Sequence, residues 1–131
     1  TGKAIVEKFT IVSDVGTVMN KLVVDGQIYG GLTQGIGLAL SEDFEDLEKH
    51  TTLTRCGIPQ IKDVPDNMEL IYQETKRPLS AYGASGTGEM PLSAPHASII
   101  NAIYDACGVR ITQLPALPEK IKAGLEELGI K

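Results

Sequence analysis

The chain has 131 residues, 12 basic against 17 acidic for a net charge of −5, and 42% of its residues are hydrophobic. This is enough apolar material for one domain with its own core and too much for a disordered chain. No basic block marks a nucleic-acid partner, no apolar run has membrane or signal-peptide length, and the two cysteines, Cys56 and Cys107, have no metal-site spacing, which together point to a reducing compartment and the cytoplasm.

Thr1-Gly2-Lys3 reads as a turn leading directly into a strand. From Ala4 to Val15 the residues alternate, with Ile5, Phe9 and Ile11 on one parity and Val6, Thr10 and Val12 on the other. Asp14-Val15-Gly16 closes this strand, and Asp14 is expected to accept backbone bonds in the turn. Asn20 to Gly26 reads as a connector with Asp25 as a cap for a helix beginning at Gln27. Ile28, Leu32, Ile36, Ala39 and Leu40 then recur at helical spacing. The same helix carries Gly30, Gly31, Gly35 and Gly37, each costing about 0.8–1.0 kcal/mol relative to Ala. Such a cost needs a reason, and close approach of another element or of a ligand supplies one. Gln27 offers both donor and acceptor at the helix start, while Gln34 reads as a solvent-facing residue. Ser41 to Lys49 is an acidic, solvated run, and His50 reads as a surface residue. Thr51 to Pro65, with Gly57 and Pro59, is an irregular excursion holding Cys56 as a small buried or half-exposed thiol.

Met68 to Glu74 alternates as a second strand, and Lys76-Arg77-Pro78 breaks it. Between Gly83 and Pro91 come three glycines, the hydroxyls Ser85 and Thr87, and the carboxylate Glu89. Exposed N–H groups in such a loop can cradle an anion, while composition alone favours an ordinary tight loop before a helix. A carboxylate beside that cradle makes sense where a proton must be removed from another part of the same ligand. The plainer reading is a carboxylate favoured by the dipole of the next helix. The spacing fits neither a dinucleotide fingerprint nor a P-loop nor a nucleophile elbow. Ser93 is the expected N-cap of an apolar helix with Pro95 in its first turn, Cys107 as a core thiol and Gly108 as its stop. His96 reads as a local packing or capping residue, or as one lining a pocket near Glu89. Val109 to Ile111 is a short extended piece, and Pro118 opens a last helix with Ile121, Leu125 and Leu128 on one face. The order βα(loop)βαα gives an α+β chain of two or three strands and about three helices.

Three segments carry a resemblance. Gly86-Thr-Gly88-Glu89-Met-Pro91-Leu92 is similar to the Gly-x-Gly-Glu-x-Pro-Leu segment of the molybdenum hydroxylases, the xanthine oxidase and aldehyde oxidoreductase family. Gly26-Gln27-Ile-Tyr-Gly30-Gly31-Leu-Thr-Gln34-Gly35-Ile-Gly37 resembles that family's Gly-Gln-x-x-Gly-Gly-x-x-Gln-Gly-x-Gly run. Leu114-Pro115-Ala116-Leu-Pro118-Glu119-Lys120-Ile121 resembles its closing Pro-Ala-x-Pro-Glu-Lys-Ile. The three occur in the family's order and span nearly the whole chain. The Ser93-Ala-Pro-His96 variant and the Glu42-Asp-Phe-Glu-Asp region look closest to bacterial aldehyde oxidoreductases.

The resemblance implies that residues 1–131 form a single C-terminal segment of the larger molybdopterin-binding domain. It implies a molybdenum–molybdopterin dinucleotide, expected in its cytosine form, whose metal takes no ligand from the protein. Glu89 matches the family's catalytic carboxylate, a general base in hydroxylation of an aldehyde or N-heteroaromatic carbon with water-derived oxygen. Gln27 matches the glutamine that hydrogen-bonds the pterin, and Ser85, Gly86, Thr87 and Gly88 are the loop residues expected at the cofactor. Iron–sulfur clusters belong to the complete enzyme but not to this segment, so the rest of the large subunit and the cluster-binding parts are expected partners. No nucleic acid or membrane partner is expected. Exposed apolar surface is expected where other domains pack, so the isolated segment is expected to self-associate and to be inactive. The competing class is a non-catalytic ligand-binding or subunit-interaction module.

Overall fold

The computed structural model describes residues 1–130. Five regular elements follow in order: β1 (Lys8–Asp14), α1 (Lys21–Leu40), β2 (Asn67–Gln73), α2 (Pro95–Cys107) and α3 (Pro118–Glu127). Short 3₁₀ turns lie at Ile61–Asp63, Ala81–Gly83 and Met90–Leu92. The chain is α+β as expected, with two strands and three helices.

β1 and β2 pair in parallel, from Lys8 opposite Asn67 to Asp14 opposite Gln73. Parallel neighbours need a crossover connection, and α1 supplies it. Phe9, Ile11, Ser13, Met68, Leu70 and Tyr72 face inward. On the opposite face Val12 is 65% exposed and its partner Ile71 is 44% exposed. The first strand starts at Lys8 rather than Ala4, because β2 begins at Asn67 and offers nothing for earlier residues to pair with. Ala4 and Val6 pack against the core without joining a ladder.

α1 also starts elsewhere than its sequence indicates. Asn20 is the N-cap, its side chain accepting from Val23 N–H at 3.2 Å. Asp25 lies inside the helix and caps nothing. The α1 face that carries Ile28 and Leu32, both fully buried, continues into a core of Ile36, Ala39, Ile99, Ile103, Ala116 and Ile121. The buried glycines of α1 are explained by what they touch. A Cβ on Gly35 would stand 2.5 Å from Pro95 Cβ, and one on Gly37 would meet Pro59 at 2.7 Å.

α2 begins at Pro95 with Ala94 in the cap position, so Ser93 is not the cap. Ser93 belongs instead to the preceding turn, where its hydroxyl donates to the Met90 carbonyl at 2.8 Å. Gly108 ends α2 with φ 75°, a left-handed stop. Val109 to Ile111 joins no strand among the described residues; Val109 is buried and fills the space beside Gly124 of α3. Cys56 is buried, Cys107 is half-buried against the core, and neither is in a disulfide. His50 is not a surface residue: its side chain is 16% exposed and Nδ1 accepts from Asp46 N–H at 3.3 Å. Nor is the acidic run wholly solvated, since Glu42 packs over Gly37 and burial raises its carboxyl above the usual range. No helix among the described residues is long and apolar enough to cross a membrane.

The Gly35–Pro95 contact leaves no room for a methyl group. Gly35→Ala in the full-length protein is expected to cost about 1–3 kcal/mol through overpacking, read by chemical denaturation. Unchanged stability would show that α1 and α2 can separate freely.

Candidate functional site

The Gly83–Pro91 stretch is an open loop fixed at both ends. At its start, Gly16 and Ala84 form an antiparallel bridge, and Ser85 N–H donates to the Val15 carbonyl at 2.9 Å. The Thr17 and Arg77 N–H groups both donate to the Gly83 carbonyl, at 3.1 and 3.0 Å. Thr17 Oγ1 donates to the Tyr82 carbonyl at 2.8 Å. Tyr82 itself has φ 56°, a conformation uncommon for a residue with a side chain.

One carboxylate braces this junction. Asp14 Oδ1 accepts from Gly16 N–H and Thr75 N–H, both at 3.1 Å, as the sequence led us to expect of a turn residue. It also pairs with Arg77 Nη2 at 3.2 Å. The bond from Thr75 and then that from Gly16 lower the Asp14 carboxyl below its usual range, with Arg77 adding to them.

At the far end the loop enters the Met90–Leu92 turn, whose Pro91 is buried. Pro91 sits against Gly31 of α1, where a Cβ would stand 2.6 Å from Pro91 Cβ and 3.0 Å from Leu92 N. The next contact along both segments is Gly35 with Pro95. Bare helix backbone and two proline rings thus hold the end of the loop.

Between these supports Ser85, Gly86, Gly88 and Glu89 are exposed and Thr87 is half-buried. Gly86 and Gly88 have neither positive φ nor any atom within 4 Å of where a Cβ would stand. Glu89 takes part in no ion pair among the described residues. A carboxylate already paired with a cation would be a weaker base.

Gln27 is exposed, and it lies well inside α1 rather than at its start. It is one turn before Gly31, the residue that meets Pro91, on the same helix face. Gly26 and Gly30, flanking it, again have nothing within 4 Å of a Cβ position. Gln34 is exposed two turns farther on. His96, in the first turn of α2, is half-buried with Nδ1 shielded from solvent and lacking a hydrogen-bond partner. Two grooves of about 750 and 670 Å³ run beside Lys3–Glu7, and neither takes in Gln27 or Ser85–Glu89. With Gln27, Ser85, Gly86, Gly88 and Glu89 all exposed, the candidate residues lie on the open surface of this chain.

Sequence reasoning did not single out Arg77 or Tyr72. Tyr72 shares the inward parity of Met68 and Leu70, a signal that was present. Arg77 stood only as part of a strand-breaking tripeptide, and its partner Asp14 is 63 positions away.

Residues 1–65 match the family model described as a molybdopterin cofactor-binding domain, a stretch that includes Gln27 and stops short of Glu89. The aldehyde oxidoreductase of Megalodesulfovibrio gigas is 56% identical over 126 residues, which is 96% of this chain and 14% of that protein. The crystal structure of the aldehyde oxidoreductase from Desulfovibrio desulfuricans superposes with a TM-score of 0.93 at 63% identity, covering 95% of this chain and 14% of that one. The quinoline 2-oxidoreductase of Pseudomonas putida 86 superposes with a TM-score of 0.83 at 35% identity, covering 94% of this chain and 16% of that one. The chain thus spans about one-seventh of the length of the aldehyde oxidoreductases it matches.

The Asp14 brace makes the loop's anchorage sensitive to acid. Because the folded carboxyl is lowered, its stabilisation is complete above about pH 4 and is lost as pH falls through the lowered value. Amide-exchange protection at Ser85 and Arg77 is expected to fall in that range in the wild type. In Asp14→Ala it is expected to be low at every pH. Equal protection in the variant at pH 7 would remove Asp14 from the brace.

Proposed function

The chain belongs to the molybdenum hydroxylase family, and from that premise we propose that it supplies the general base and part of the pterin-binding wall of a larger oxidoreductase that hydroxylates an aldehyde. The observation that carries this reading is Glu89, exposed and outside any described ion pair, on a loop fixed at both ends. The aldehyde, rather than a heteroaromatic ring, is favoured by the names of the relatives at 56% and 63% identity.

The residues fit a flat, polar group lying close to backbone. Gly26, Gly30, Gly86 and Gly88 leave space where side chains would stand, and no part of this chain fills it. When bound, a molybdenum–pterin dinucleotide, in our reading the cytosine form, would supply the redox chemistry that takes up the substrate's electrons. Gln27 can donate and accept together, which the mixed edge of a pterin ring requires. Ser85 and Thr87 offer hydroxyls, and Gly86 and Gly88 offer N–H groups, to the same ligand. Among the described residues no three His, Cys, Asp or Glu side chains gather around one point, and in our reading the pterin holds the metal.

The role assigned to Glu89 is proton removal. Its carboxylate takes the proton from a water-derived oxygen as that oxygen bonds to the substrate carbon. A base must be held within hydrogen-bond reach of its proton, and a loop braced at Asp14 and Pro91 holds it better than a free one. Electrons then leave through cluster-binding parts that we assign to the rest of the enzyme, so the segment alone is expected to be inactive. The unpaired thiols Cys56 and Cys107 support the cytoplasm as its compartment.

Glu89→Gln in the complete enzyme is expected to keep wild-type molybdenum content and lose about 10²–10⁴ of turnover, read by elemental analysis and aldehyde oxidation. Wild-type turnover at full molybdenum content would overturn the base role and leave a ligand-binding module. Gly30→Ala is expected to lower molybdenum content without lowering folding stability, since a methyl there meets nothing in this chain. Full molybdenum content in that variant would show that the bare helix face is not the cofactor wall.

A further inference from the structure

The first two turns of α1 have little to hold them. From Lys21 to Gln27 no residue is buried, and Leu22 is 82% exposed. Burial begins only at Ile28. From Ile28 onward the helix is fixed by buried side chains and by the close contacts of Gly31 and Gly35, so its first two turns project beyond that packing. Yet Gln27 must point in one direction to meet a ligand.

Three polar residues close on one another at this end. The Tyr72 hydroxyl of β2 donates to Asp25 Oδ1. Lys21 Nζ pairs with Asp25 Oδ2 at 2.6 Å and lies 5.4 Å from the centre of the Tyr72 ring. Each of the three touches the other two. Among the described residues, Tyr72–Asp25 is the one side-chain hydrogen bond from these two turns to another element. The bond from Lys21, followed by that from Tyr72, lowers the Asp25 carboxyl, so the acceptor is ionised at neutral pH. Burial, with the bond to Asp25 adding to it, raises the Tyr72 phenol, so the donor keeps its proton.

We propose that Lys21, Asp25 and Tyr72 form a polar anchor that ties the first two turns of α1 to β2 and so positions Gln27, at the end of those turns, toward the cofactor. This rests on the reading of Gln27 as a pterin contact. The three are positioning residues, and their effect passes through Gln27. With Lys21 exposed the ion pair adds little stability, so the half-buried Tyr72–Asp25 bond is the part of the anchor that sets position.

The test uses the full-length enzyme and reads molybdenum per polypeptide after purification, with thermal unfolding measured alongside. Gln27→Ala and Tyr72→Phe are each expected to lower molybdenum content several-fold. The double variant is expected to match Gln27→Ala alone. Asp25→Asn keeps an oxygen for the Tyr72 hydroxyl and is expected to retain most of the metal, whereas Asp25→Ala is expected to behave like Tyr72→Phe. Wild-type molybdenum in Tyr72→Phe, with Gln27→Ala impaired, would overturn the anchor and leave the Gln27 reading standing. Fully additive losses in the double variant would also overturn it, because a merely structural role acts whether or not Gln27 is present. Wild-type molybdenum in Gln27→Ala would overturn the pterin contact and the anchor together.

Discussion

The structure depends on how closely α1 can approach the segment that follows the loop. Pro91 and Pro95 lie against Gly31 and Gly35, and a single methyl at either glycine would collide with a proline ring. Two consequences follow from this one contact. α1 is held between the sheet it crosses and the start of α2, so its apolar face seals the core at Ile36 and Ala39. The end of the Gly83–Pro91 loop is fixed on rigid partners, since neither a proline ring nor helix backbone has rotamers to lose. The glycines cost helix propensity, and the contact they permit offsets it.

The two ends of the loop are held by different physics. Its start is polar: main-chain bonds to the buried Val15 and to Gly83, with the exposed Asp14 carboxylate beside them. Its end is apolar and buried. Of these links only those to Asp14 depend on salt and pH, and the proline–glycine contact depends on neither. Glu89 sits next to the support that pH does not change. If a carboxylate must be kept at a fixed distance from a reacting oxygen, that is the end at which to put it.

Punctuation made some of this legible in the sequence. Gly108 and Pro118 mark the end of α2 and the start of α3 because one permits left-handed backbone and the other cannot donate to a preceding turn. The glycine loop and its carboxylate were visible for the same reason. The start of α1 was not. Asn20 is followed by Lys21-Leu22-Val23-Val24, whose β-branched residues look unlike a helix start, and Asp25 resembles a cap. Its actual partner, Tyr72, is 47 positions away, and local pattern carries no such information. The start of β1 failed similarly, since alternation marks a chain that can be a strand and only β2 decides where it is one. His50 looked exposed beside acidic neighbours until the fold turned it back on Asp46.

The glycines of α1 and of the loop divide into two kinds that the sequence cannot separate. Gly31, Gly35 and Gly37 are explained by proline rings in the same chain, and nothing further need be inferred from them. Gly26, Gly30, Gly86 and Gly88 have no such neighbour and no positive φ. Alanine would serve better at the helical pair by about 0.8–1.0 kcal/mol each, and no contact within this chain accounts for the glycines. The Gly31–Pro91 contact joins the helix that carries the first pair to the end of the loop that carries the second. Bare backbone from two elements, one amide able to donate and accept, and one carboxylate outside any described ion pair form a surface suited to a ligand that is broad, polar at its edge and in need of a base. The packing of this chain does not account for those glycines, and the proposed cofactor contact would.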